Sequence, residues 1–208
     1  MNFQPKLGFA LVPTTPDQKI IYDLAEQLNL EFDLGFRVTP ENAIPHLTGF
    51  QGVFSDIDKV IKKLASLDFS FIEKEQTVEG ISFWAKKIIF LDYEFNTSLE
   101  QFHQLLIQTF EKGIDYEGTS ADPQVFEGLT TGQEESFEQT GYPFYGDEFL
   151  PHTTLAHLKA APNTDLRKIL ASVRKKSTLS ESITFTKFVV FEVETLGKST
   201  KVLWERDI

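Results

Sequence analysis

At 208 residues, 41% of them hydrophobic, the chain is long enough for one compact domain with a substantial core. It contains no Cys, which excludes a disulfide framework and a Cys-type zinc site. The net charge is −11, and residues 111–148 hold ten Asp or Glu with Lys112 as their only base. Such a chain repels a long phosphate backbone, whereas a small phosphate ester or the end of an oligonucleotide remains a compatible partner.

Met1 to Lys6 lacks the basic and apolar regions of a signal peptide, and no apolar run approaches the roughly 18 residues that span a bilayer. The expectation is a soluble, cytoplasmic monomer. Leu7 to Val12 reads as a buried strand ended by Pro13. Thr15-Pro16-Asp17 starts a helix over 16–30, with Ile20, Ile21, Leu24 and Leu28 at helical spacing. Phe36 to Pro45 is loop or short extended structure, and His46 to Phe50 is a strand broken by Gly52. Ser55-Asp56 caps a second helix to residue 67. Two strands follow, Phe69 to Glu79 and Gly80 to Tyr93, with Lys86-Lys87 as a hairpin turn or solvated edge. Thr97-Ser98-Leu99 opens a third helix, which Gly113 ends.

Residues 114–148 lack clear periodicity and read as a long insert, with enough aromatic residues (Phe126, Phe137, Tyr142, Phe144, Tyr145) to argue against full disorder. Phe149 to Leu158 is a strand, and Asn163-Thr164-Asp165 caps a helix over about 163–175. Ile183 to Val193 and Lys201 to Trp204 are strands joined by a turn at Gly197-Lys198-Ser199. Each half of the chain therefore runs helix, strand, helix, two-strand hairpin. This predicts a single α+β domain over 1–208, bilobal and pseudo-two-fold. Its sheets are mainly antiparallel with flanking helices.

The strand between the two helices of each such unit carries the same phrase, Pro45-His46-Leu47-Thr48 and Pro151-His152-Thr153-Thr154. Side chains two apart in a strand share a face, so each phrase sets an imidazole beside a hydroxyl. Two of the four His residues carry His-x-Thr, both follow Pro, and both sit at equivalent places in the repeated layout. Coincidence accounts poorly for all three. A metal site fits less well, because Thr is a poor zinc ligand and His152 and His157, five apart in a strand, face opposite sides.

The paired motifs His46-Leu47-Thr48-Gly49 and His152-Thr153-Thr154-Leu155 resemble those of the 2H phosphoesterase superfamily, which includes RNA 2′,5′-ligase-like proteins and 2′,3′-cyclic phosphodiesterases. The resemblance extends over most of the chain and implies a bilobal fold with both motif strands lining a central cleft. It implies hydrolysis of a 2′,3′-cyclic phosphate or 2′,5′-phosphodiester in a small nucleotide or RNA end, with no metal and no cofactor. His46 and His152 would serve as general acid and base in an order the sequence leaves open. Thr48 and Thr154 would bind the phosphate oxygens, and the acid would protonate the departing 2′ oxygen. RNA 2′,5′-ligase activity, or an inactive binding module that keeps the cleft, are the alternatives. Gly49 stands where the family's first motif usually has a larger apolar residue, which suggests looser packing. His157 stands near where ligase-like members tend to have an Arg after the second motif, and is a possible substrate contact. Tyr142 and Tyr145, flanked by Gly and Pro ahead of the second motif, could stack on a nucleobase.

Overall fold

The structure, a computed structural model, describes residues 5–116, 128–159, 180–193 and 201–208. The expected helix at 163–175, Phe126 and the turn at Gly197-Lys198-Ser199 lie outside the described residues.

The apolar runs form β1 (Lys6–Pro13), β3 (Leu47–Val53), β5 (Ile88–Tyr93), β6 (His152–Leu158) and β7 (Ser182–Glu192). Shorter or more exposed strands are β2 (Leu34–Arg37), β4 (Glu75–Trp84) and β8 (Val202–Asp207). The helices are α1 (Thr15–Glu31), α2 (Ile57–Leu64), α3 (Thr97–Phe110) and α4 (Thr131–Thr140). All recorded pairings are antiparallel. The fold is thus the expected α+β architecture with a mainly antiparallel sheet.

Each helix begins at a side-chain cap, a common solution for the unpaired N–H groups of a first turn. The Thr14 hydroxyl accepts from the Asp17 N–H at 3.3 Å, so the cap of α1 lies one residue earlier than expected. Asp56 caps α2, and Asn96 caps α3 by accepting from the Leu99 N–H at 2.9 Å. The β4–β5 turn falls at Ala85-Lys86, both with positive φ (47° and 59°), and is closed by the Lys87 N–H on the Trp84 carbonyl. Glu75 to Trp84 forms one strand here. The stretch from Phe69 to Ser70, expected as its start, is part of a turn closed by the Ile72 N–H on the Phe69 carbonyl.

Residues 128–148 of the insert are more regular than their weak periodicity implies. Thr130 and Gln133 form a reciprocal capping box, and Gly141 closes α4 in the left-handed conformation at φ 70°. Only Ser136, Phe137 and Thr140 of this helix are buried, which is why no apolar stripe announces it.

The strand order is β8-β7-β1-β3 on one side and β6-β5-β4 on the other, joined where Leu47 pairs with Thr153. These are the two lobes, with one motif strand in each and β2 on β6. β7 also reaches β4 through Ser182–Thr184, so the pairings run in a ring. The main core fills one face of the sheet under α1 and α3, including Phe9, Leu11, Leu28, Leu47, Phe50, Phe102 and Leu155. Two smaller apolar clusters lie apart from it: Ala10, Val12, Val189 and Phe191, and Ile88, Phe90, Tyr142 and Phe144.

Candidate active site

The Leu47–Thr153 pairing decides where the motif side chains go. Extending that antiparallel register by one residue each way sets His46 across from Thr154 and Thr48 across from His152. Opposed residues of an antiparallel pair share a face, so all four side chains line one face while Leu47 and Thr153 turn to the other. Leu47 is indeed in the core, and the fully buried Thr153 hydroxyl lies 2.9 Å from the Tyr93 hydroxyl. In a regular pair, diagonal neighbours such as His46 and His152 are roughly 7–8 Å apart, enough to bracket one tetrahedral anion. The two rings are close enough that charge on His46 disfavours charge on His152.

The imidazoles are held in matching ways. His46 Nδ1 lies 2.7 Å from the Ile44 carbonyl, and His152 Nδ1 lies 2.7 Å from the Leu150 carbonyl. A carbonyl only accepts, so each Nδ1 carries the hydrogen and each neutral ring keeps its lone pair on Nε2. The Pro before each His explains the geometry. Pro restricts the preceding residue to extended backbone, which fixes the carbonyl that the ring meets.

The surroundings differ. His152 is 7% exposed, stacked on Phe90 at 3.8 Å with the edge of Phe144 at 4.8 Å. Burial, the largest cause, lowers its pKa to about 4, against the raising effect of the Leu150 carbonyl. His46 is half-buried against Phe191 at 4.6 Å, and burial lowers its pKa as well. The Phe191 ring fits only because residue 8 is Gly: a Cβ there would fall 2.4 Å from its Cζ.

A β-bulge follows each motif. Ala10 pairs with Thr48 but Phe9 with Phe50, leaving Gly49 as the extra residue. Phe90 pairs with Thr154 but Ile89 with Ala156, leaving Leu155 extra. The bulges fall at the fourth position of both motifs. The second one reverses the expected side of His157: Asp92, Phe90 and Ile88 share one face and pair with His152, Thr154 and His157. His157 therefore shares the face of His152, half-buried beside Phe36 at 5.1 Å, with its pKa lowered by burial to about 4.

Three expectations change in other ways. Gly49 does not loosen the packing. A Cβ there would lie 2.2 Å from Phe102 Cε1 and 2.9 Å from Leu106 Cδ1, so Gly is what lets α3 reach β3. Tyr142 is 4% exposed, its ring packed on Phe144 and its hydroxyl donating to the Thr48 carbonyl at 3.4 Å. It walls the site instead of offering a free stacking surface. Tyr145 commits its hydroxyl to Glu111 Oε1 at 2.7 Å and its ring to Phe50. Phe90, Phe144 and Phe191, the rings that seat the imidazoles, carry no sequence signal beyond apolarity. Among the described residues, no three His, Asp or Glu side chains gather as metal ligands would, and no helix is long and apolar enough to cross a membrane.

No family model and no curated protein sequence matches the chain. Solved structures do. The chain is similar to E. coli LigT complexed with 3′-AMP over 100% of its own length and 99% of that chain, with TM-score 0.57 and 15% identity. It is similar to TT0787 of Thermus thermophilus over 97% of both chains, with TM-score 0.61 and 15% identity. A phosphoesterase structure matches over 98% of both chains, with TM-score 0.52 and 14% identity. The chain has the fold of these LigT-like structures from end to end.

Proposed function

We propose that this chain is a 2H phosphoesterase that hydrolyses a 2′,3′-cyclic phosphate or 2′,5′-phosphodiester in a small nucleotide or RNA end, without a metal. The observation that carries the reading is the Leu47–Thr153 pairing, which gathers two imidazoles and two hydroxyls on one face. The LigT-like fold supports it, and so do the E. coli LigT structures complexed with 3′-AMP and with ATP, both small nucleotides.

His152, buried and kept neutral, is the general base. Its Nε2 takes a proton from water as the water oxygen bonds to phosphorus. His46, the more exposed ring, enters as imidazolium and gives its Nε2 proton to the departing ribose oxygen as that P–O bond breaks. The anionic substrate itself favours protonation of the ring beside it. The hydroxyls of Thr48 and Thr154 donate to the non-bridging oxygens as charge develops. Nδ1–H of each ring stays on its backbone carbonyl throughout, so proton traffic is confined to Nε2. His157, three residues beyond Thr154 on the same face, is the proposed contact for the rest of the nucleotide.

The test is hydrolysis of 2′,3′-cyclic nucleotides in the presence of EDTA, with His46→Ala and His152→Ala as controls. Each substitution is expected to lower kcat at least about a hundredfold, within the range for acid–base groups. Activity that survives both substitutions ends the proposal, and loss of wild-type activity in EDTA ends its metal-independent form.

A further inference from the structure

One histidine has no part in this chemistry, yet it is buried between the two motifs. His103 lies on the inner face of α3 and is 1% exposed. Its Nδ1 donates to the carbonyl of Gly49, the bulged residue that directly follows Thr48. Its ring lies flat on Phe149, with centroids 4.2 Å apart and planes within 5°. Phe149 directly precedes Leu150, whose carbonyl holds His152. The other nitrogen, Nε2, is buried and faces the Gly146 carbonyl. One imidazole thus touches the exit of the first motif and the entrance of the second.

The contact depends on the glycine. A bulge releases the carbonyl of its extra residue from the ladder, and a buried carbonyl without a donor is costly. At the second bulge the Leu155 carbonyl is satisfied by the Val38 N–H at 2.9 Å. At the first, a helix side chain supplies the donor. That requires α3 to sit close, which the missing Cβ of Gly49 allows.

We infer that His103 is a positioning residue for both motifs, tying the Gly49 carbonyl to the Phe149–Leu150 segment so that Thr48 and His152 keep their spacing. The inference rests on the phosphoesterase reading for its catalytic consequence, though not for its geometry. His103 touches no reacting atom. It acts through Gly49 on Thr48 and through Phe149 on the carbonyl that orients His152.

Two polar substitutions separate this role from simple packing. In His103→Asn the amide nitrogen falls near the place of Nδ1 and can still donate to Gly49. In His103→Gln it falls near the place of Nε2 and withdraws the donor. The Gln variant is expected to lower kcat on a 2′,3′-cyclic nucleotide about tenfold or more with KM nearly unchanged, the effect of a small misplacement of catalytic groups. The Asn variant is expected to keep most of the wild-type kcat. The NMR titrations of the His46 and His152 ring protons, with and without inorganic phosphate, are expected to shift in the Gln variant and not in the Asn variant. Equal losses in both variants, or titrations unmoved in both, would overturn the inference. A wild-type protein that turns over no phosphodiester would sink the proposed function instead, and the ring titrations would still decide the role of His103.

Discussion

His152 shows how one side chain couples the site to the stability of the fold. Its folded pKa, about 4, lies below the ordinary 6.5, so the fold prefers the neutral ring. The stabilisation from this preference is fully present above pH 6.5. It is lost as pH falls from there towards 4, where the unfolded chain takes up a proton that the folded one refuses. A shift of that size in a nearly buried ring corresponds to about 3 kcal/mol. Comparing urea midpoints of the wild type and His152→Gln isolates it, because the many carboxylates titrate alike in both. The stability advantage of the wild type is expected to shrink by about that amount between pH 7 and pH 4. An advantage that stays constant would mean the fold does not hold the ring neutral. At this scale the motif residues were legible, because each His and Thr stands within four consecutive residues. Phe90, Phe144, Phe191 and the carbonyls of Ile44 and Leu150 were not. Their roles come from register and tertiary packing, which a linear apolar pattern does not encode.

Among the elements, α4 is held by its ends. Its buried face is one aromatic ring, one serine and one threonine, while the Thr130–Gln133 box and Gly141 satisfy its termini. Thr130→Ala removes an accepted hydrogen bond and is expected to cost about 1 kcal/mol. The loss should appear first as faster amide exchange from Thr131 to Thr140, leaving β3 and β6 protected. Unchanged exchange would show that tertiary packing, not capping, holds the helix. The same element marks a limit of sequence reading. α1, α2 and α3 announce themselves through apolar residues at helical spacing, but α4 has only its caps, and Thr130-Thr131-Gly132-Gln133 was its one local signal. The bulges are similar: an extra residue leaves no compositional mark, and only Gly49, a glycine inside a strand, hinted at one. That omission is why parity placed His157 on the wrong face.

For the whole molecule, the repeated layout foretold two lobes and an antiparallel sheet, but not how the halves interlock. β7, from the last part of the chain, pairs with β1 from the first and with β4 from the middle. Neither lobe is a contiguous piece of sequence, so periodicity could not reveal the exchange. The ring of pairings predicts that both lobes unfold together. In sub-denaturing urea the slowest amides of β1–β3 and β5–β6 should converge on one opening free energy. Distinct values, with one lobe opening while the other stays protected, would show the lobes to be independent units.

The pairing of β1 with β7 also has a consequence for the cell that makes the protein. Pro13 leaves the ribosome long before Phe185, its partner, is synthesised. At typical elongation rates that interval is roughly ten to thirty seconds. Until it ends, β1 and β4 present open edges on a nascent chain, and every His-x-Thr face waits on the last long strand to be translated.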